Sequence, residues 1–151
     1  MFAMAAYMNP PMEKRKISTE GSEEVYEYFL DGKLTNSMKK KIASLFEVAL
    51  QKGHDSLILS SIGCGAYANP TFHIATLFKE MLNCETYRNR FKLVLFSIIE
   101  DKNAANNIKN TYQSSSNEKV QGKSNLSIFS KVFHGKEDAY ITIDTHLENE
   151  K

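Results

Sequence analysis

Leu57-Ile58-Leu59-Ser60-Ser61-Ile62-Gly63-Cys64-Gly65-Ala66-Tyr67-Ala68-Asn69-Pro70 carries three signals in succession. Leu57-Ile58-Leu59 is a short apolar run between serines, the pattern of a central parallel strand covered on both faces. Gly63-Cys64-Gly65 is a turn able to enter φ > 0. Asn69-Pro70 announces a helix, with Asn at the cap and Pro at the first helical position. Ile74, Ala75, Phe78, Met81 and Leu82 give that helix its apolar stripe.

Outward from this stretch the same grammar repeats. Met38, Ile42, Leu45, Phe46 and Ala49 lie on one stripe of a 3.6-period helix. Thr35, Asn36 and Ser37 are candidate N-caps, and Lys52-Gly53 is a helix stop. On the other side, Phe91, Leu93–Phe96, Ile98 and Ile99 predict a further strand. Met1–Tyr7 predicts a short buried strand stopped by Pro10-Pro11. The order strand, helix, strand, helix, strand implies a mostly parallel sheet with right-handed crossovers.

The remaining segments are less regular. Glu13-Lys14-Arg15-Lys16 reads as a charged loop, Glu23–Phe29 as one or two helical turns, and Asp31-Gly32 as a turn. Residues 101–125 are rich in Asn and Ser and read as a long polar loop. In 126–151, Ile128, Phe129, Val132 and Phe133 predict a short helix packing back on the sheet. Ala139–Thr145 alternates weakly, as a strand would, before a charged tail.

Composition limits the function. The 151 residues are 42% hydrophobic and 25% charged, as expected of one globular domain spanning 1–151 with its core in 1–100. Lys+Arg 19 against Asp+Glu 18 offers no electrostatic ground for nucleic acid or an anionic membrane as main partner. No apolar run reaches the ~18 residues of a spanning helix. Two cysteines and four scattered histidines give neither a disulfide framework nor a metal-ligand spacing, and a reducing cytoplasmic or nuclear compartment fits.

The chemistry concentrates at Gly63-Cys64-Gly65. Adjacent amides in such a turn can bind an anion, and the following helix adds its positive end. The carboxyl end of a parallel strand is where open α/β sheets bind ligands. The alternative is a tight strand-to-helix turn and nothing more. The Gly-Lys-Ser/Thr ending of an ATP loop is absent. Gly63-x-Gly65-x-x-Ala68 approaches the dinucleotide fingerprint, but Glu85 precedes the next strand and Glu100 and Asp101 are too distant for its acid.

The segment resembles the signature of microbial-type poly(ADP-ribose) glycohydrolases, divergent macro domains with a Gly-Cys-Gly-Ala-aromatic-x-Asn-Pro segment. Ala5-Ala6-Tyr7-x-Asn9-Pro10, Met38-Lys39-x-Lys41-Ile42, Ala49-x-x-x-Gly53-His54 and Val94–Ile98 resemble further landmarks in order, so the likeness covers about residues 1–100. The resemblance implies a three-layer α/β/α fold that binds ADP-ribose without a cofactor. It implies that Ser61–Tyr67, Ile62 included, wraps the diphosphate and distal ribose. Gly63, Cys64, Gly65 and Ala66 would form the cradle, and Tyr67 would pack beside the ribose. Asn69 would close the turn by capping the helix, and Phe96 would stack on adenine or be buried.

The family's Gly-rich loop with paired Glu residues has no match here. Glu23-Glu24 lacks the glycine run and reads as a solvated helix face. No catalytic residue is therefore assigned, and the chain resembles a macro domain lacking the N-terminal portion. Three functions stay open: a binding module for ADP-ribose or an ADP-ribosylated protein, a glycohydrolase completed by a missing segment or partner, and a remnant with an interaction role. An exposed sheet edge would call for a dimer or a partner chain. Cys64 is a small turn residue rather than a nucleophile, since no base can be placed beside it. Lys39-Lys40-Lys41 reads as a solvated basic face.

Overall fold

The computed structural model describes residues 3–20, 23–112 and 124–135. It is a mixed α/β structure with two small sheets. The elements are β1 (Met12–Glu20), β2 (Glu23–Leu30), α1 (Gly32–Gln51), β3 (Ser56–Leu59), α2 (Thr71–Asn83), β4 (Leu93–Phe96), α3 (Lys102–Tyr112) and α4 (Asn125–His134). No helix among the described residues is long and apolar enough to cross a membrane.

The central unit is β3-α2-β4. The two strands pair in parallel, Leu57 beside Val94 and Leu59 beside Phe96. The helix between them supplies the crossover that parallel strands require. Leu57 and Leu59 are buried, whereas Ile58 is 77% and Leu93 58% exposed. The apolar run thus has one covered face, not the two expected. Helices pack on one side, and the opposite side is bare among the described residues.

The helices follow their stripes. Met38, Ile42, Phe46 and Ala49 of α1 are buried, as are Ile74, Ala75, Leu77 and Phe78 of α2. Together with Leu30, Leu57, Leu59 and Phe129 they form one apolar cluster. α1 begins earlier than Thr35–Ser37 implied. Its cap is Asp31, whose carboxylate accepts from the Leu34 N–H at 2.7 Å, so Asp31-Gly32 is a helix start rather than a turn. α4 is capped by Ser124 and ended by Gly135 in the left-handed region, as the apolar residues 128–133 predicted.

Three other expectations are corrected. Residues 3–11 form no strand, so the strand-helix-strand-helix-strand sheet does not occur among the described residues. The Ala5 carbonyl accepts from Lys41, and the Tyr7 carbonyl from Asn69. The segment's polar groups are met by these side chains and by the Tyr67 carbonyl, which accepts from the Asn9 N–H at 2.9 Å, rather than by a neighbouring strand. Second, the supposed charged loop and helical turns form an antiparallel hairpin, β1-β2, bulged between Lys16 and Ser18. Its charges are matched across strands: Lys16 bonds Glu24 at 2.6 Å, and Lys14 lies over the Tyr26 ring. Third, the polar loop begins with helix α3, capped by Asp101, which accepts from the Ala104 N–H at 2.8 Å. The strand expected around Phe91–Ile99 is confined to Leu93–Phe96. The alternating stretch 139–145 lies outside the described residues.

Candidate functional site

The turn from Ser60 to Pro70 leaves the carboxyl end of β3 and enters α2. It contains two successive reversals. The Cys64 N–H donates to the Ser61 carbonyl at 3.0 Å, with Gly63 at φ 73° inside that turn. The Ala68 N–H donates to Gly65 at 3.0 Å, and the Asn69 N–H to Gly63 at 3.0 Å. Ala68 is itself at φ 53°. A residue bearing Cβ pays roughly 1–2 kcal/mol to occupy that region, so the closing bonds hold a strained backbone.

Gly63 and Gly65 have different roles. A Cβ on Gly63 would lie 2.4 Å from the Ala6 Cβ and 2.5 Å from Asn69 Nδ2. Gly63 is therefore required by packing and by its positive φ. A Cβ on Gly65 would have Asn103 Cβ at 3.8 Å as its nearest neighbour. Such a Cβ would thus meet only ordinary van der Waals contacts, with the first turn of α3. The amides of Gly63, Gly65, Ala66 and Tyr67 have no acceptor among the described residues, and Tyr67 is 47% exposed. The first turn of α3 lies close to Gly65, and its Ala104 N–H is already engaged by the Asp101 carboxylate.

Three buried asparagines clamp the turn. Asn69, expected as a cap, does not cap α2, whose N-cap is Pro70 without a side-chain bond. Its Nδ2 instead donates to the carbonyls of Tyr7 at 2.6 Å, Gly63 at 3.2 Å and Tyr67 at 3.3 Å. Asn107 of α3 donates to the Cys64 carbonyl at 3.0 Å and to that of Asn69 at 3.1 Å. Asn125 of α4 donates to the same Cys64 carbonyl at 2.9 Å and is oriented by Thr71, whose hydroxyl donates to its Oδ1 at 2.7 Å. Asn69 Oδ1 is buried without a partner, a cost of about 1–3 kcal/mol carried by the turn.

The other expected site residues separate into two groups. Ser61, Ile62, Gly63, Gly65, Ala66 and Tyr67 stand together in the turn. Cys64 stands there too, but its amide and carbonyl are engaged within the protein and its side chain is buried. Burial pushes its thiol up to about 12, opposite to what a nucleophile needs. Phe96 points into the helix-covered face, its ring centroid 5.3, 5.1 and 5.0 Å from those of Phe78, Phe129 and Phe133. It belongs to an aromatic core cluster and is not brought to the turn.

The acids do not gather at the turn either. Glu24 is exposed on β2, where hydrogen bonds from Lys16 and Tyr26 hold its carboxyl below the usual range. Glu100 accepts from the Leu126 N–H at 2.6 Å, while Asp101 caps α3. The basic run at 39–41 is dispersed: Lys39 pairs with Glu80 at 2.7 Å, and Lys41 lies over the Tyr7 ring. Among the described residues no group of His, Cys, Asp and Glu could hold a metal ion.

Sequence reasoning missed α3 and its Asn107, both part of the site's frame. Asp101 followed by Ala104 and Ala105 was the available signal, an N-cap before good helix formers. Comparison with family models, with curated proteins and with solved structures finds no match.

Proposed function

We propose that the chain is a binding module for ADP-ribose or an ADP-ribosylated protein, with the turn Ser61–Tyr67 receiving the diphosphate. The observation that supports it most is the set of amides at Gly63, Gly65, Ala66 and Tyr67 with no acceptor among the described residues, between a parallel strand's carboxyl end and the start of α3. Backbone N–H groups in a glycine-containing turn beside a helix start suit a phosphate oxygen. Donation from Cys64 is not part of the proposal, because that amide serves the turn itself. The ring of Tyr67, exposed beside the turn, would cover the distal ribose. Adenine is left to contacts other than Phe96.

The reading is binding rather than cleavage. Glycosidic hydrolysis needs a positioned acid or base, and Glu100 and Asp101, the acids at the start of α3, accept from the backbone N–H groups of Leu126 and Ala104. The proposed fold is a macro-domain-like three-layer one, in which a further layer would cover the face that bears Ile58 and Leu93. A reducing cytoplasmic or nuclear setting agrees with the free thiols of Cys64 and Cys84.

Isothermal calorimetry with ADP-ribose tests the proposal. The parent should release heat on titration, and Gly65→Val should bind at least tenfold more weakly at unchanged thermal stability. Silence from the folded parent, or equal affinity in both proteins, would refute it.

A further inference from the structure

One short motif occurs twice in the chain. Ala6-Tyr7-Met8-Asn9-Pro10 and Ala66-Tyr67-Ala68-Asn69-Pro70 share the pattern Ala-Tyr-x-Asn-Pro. The fold brings the two copies into contact. The Asn69 side chain donates to the Tyr7 carbonyl at 2.6 Å, and the Asn9 N–H donates to the Tyr67 carbonyl at 2.9 Å. Each copy passes through the left-handed region, at Asn9 with φ 47° and at Ala68 with φ 53°. Ala6 sits against Gly63, close enough to exclude a Cβ there. Residues 5–9 therefore form a wall of the candidate site, touching the turn at Gly63, Tyr67 and Asn69.

That wall belongs to no helix or strand, and bonds to the turn alone would let the two move together. A tie from outside the turn comes from α1. The Lys41 ammonium donates to the Ala5 carbonyl at 2.7 Å and lies 4.2 Å from the centroid of the Tyr7 ring. The first contact is a charge-assisted hydrogen bond and the second a cation–π contact, and both need the positive charge. The Tyr7 hydroxyl is buried without a partner, so the ring is held by packing and by the cation rather than through its far end. Lys41 itself stands on a fixed element: Met38 and Ile42, its neighbours on α1, are fully buried.

We propose that Lys41 is a positioning residue for the turn: through residues 5–9 it holds the Gly63 backbone and the Tyr67 carbonyl, and so aims the amides that receive the diphosphate. Its basic neighbours, by contrast, stay on the helix surface, Lys39 paired with Glu80. Without the charge, the Ala5 carbonyl and the Tyr7 ring lose their anchor, the bonds from Tyr7 and Asn9 to the turn slacken, and the amides of residues 65–67 lose a fixed direction. Donors ordered in advance spare a ligand the cost of ordering them. The effect on the ligand rests on the function proposed above, whereas the coupling of Lys41 to the turn does not.

Amide hydrogen exchange and calorimetry on the full chain test this with three variants. In Lys41→Met the Asn9 amide, which is bonded to Tyr67, should exchange about fivefold faster than in the parent, while the α1 amides of Ile42 and Phe46 stay protected. Lys41→Arg should restore the parent rate, since a guanidinium keeps the charge, the donors and the ring contact. Lys40→Met should match the parent. Parent-like exchange at Asn9 in Lys41→Met overturns the proposal, as does failure of Lys41→Arg to restore it. In calorimetry, Lys41→Met should bind ADP-ribose about fivefold more weakly and Lys41→Arg close to the parent. Equal affinity in Lys41→Met overturns the positioning role even where Asn9 exchanges faster. A folded parent that releases no heat refutes the proposed function instead, and the exchange result then decides the coupling alone.

Discussion

Asn107 and Asn125, from two different helices, share one acceptor: both side-chain amides donate to the carbonyl oxygen of Cys64, at 3.0 and 2.9 Å. A carbonyl has two lone pairs, and here both are used by buried side chains. The peptide between Cys64 and Gly65 is thereby fixed from the protein side, which sets the direction of the amides that follow it.

Removing either asparagine should loosen this peptide. Asn107→Ala and Asn125→Ala should each destabilise by about 1–3 kcal/mol, the cost of losing a buried hydrogen bond and leaving its partner less satisfied. Urea unfolding measures it. The double variant should lose less than the sum of the singles, since the two share a partner. Strict additivity would show that the two bonds act independently.

The two glycines of the turn should respond differently. Gly63→Ala places a Cβ within 2.4 Å of Ala6 and demands φ 73° of a non-glycine residue. It should lower the thermal midpoint markedly, by the equivalent of several kcal/mol. Gly65→Ala meets only ordinary contacts and should melt close to the parent. Similar midpoints for both would contradict the packing described for Gly63.

Stability should fall on acidification through His73. This ring is 5% exposed, its Nδ1 accepts from the Leu30 N–H at 2.9 Å, and it packs on Phe29. Burial first, then the nearby Arg15 charge, lowers its pKa from 6.5 to about 4. The folded state therefore disfavours the protonated ring. The stabilisation is complete above pH 6.5 and is lost progressively as pH falls toward 4, by up to ~3 kcal/mol. Chemical denaturation at stepped pH should show this slope in the parent and a flatter one in His73→Gln.

The thiols should react in two classes. Cys64 is fully buried with its pKa pushed up to about 12, whereas Cys84 is half-buried at the end of α2. A thiol-reactive disulfide reagent should modify Cys84 in the native protein and Cys64 only as the chain unfolds. Equal rates for both would show that the turn opens without global unfolding.

What the sequence made legible was what hydrophobic spacing can express. α1, α2, α4 and the pair β3-β4 each bury a periodic apolar stripe. α3 does not among its described side chains: the buried ones are Ala104 and Asn107, a small and polar pair that resembles the residues of a loop. The β1-β2 hairpin was hidden for another reason. Glu13–Lys16 and Glu23-Glu24 suggest solvent, yet the strands are joined by the Lys16–Glu24 pair and by rings beneath cations as well as by their ladder. Two residues of type Gly-Ser between the strands were the available hairpin signal. At the turn, the residue types were legible and their roles were not. Which glycine excludes a Cβ and which tolerates one depends on Ala6 and α3, distant in sequence.

The Asn clamp also sets an order of assembly. The bonds that shape the turn join Cys64 to a residue 61 positions onward, and Asn69 to one 62 positions back. Closing such long segments comes late, after their entropy has been offset by other contacts. A nascent chain that has emerged only as far as α2 carries every residue of the turn without its geometry. The turn takes its final geometry only when α4 arrives.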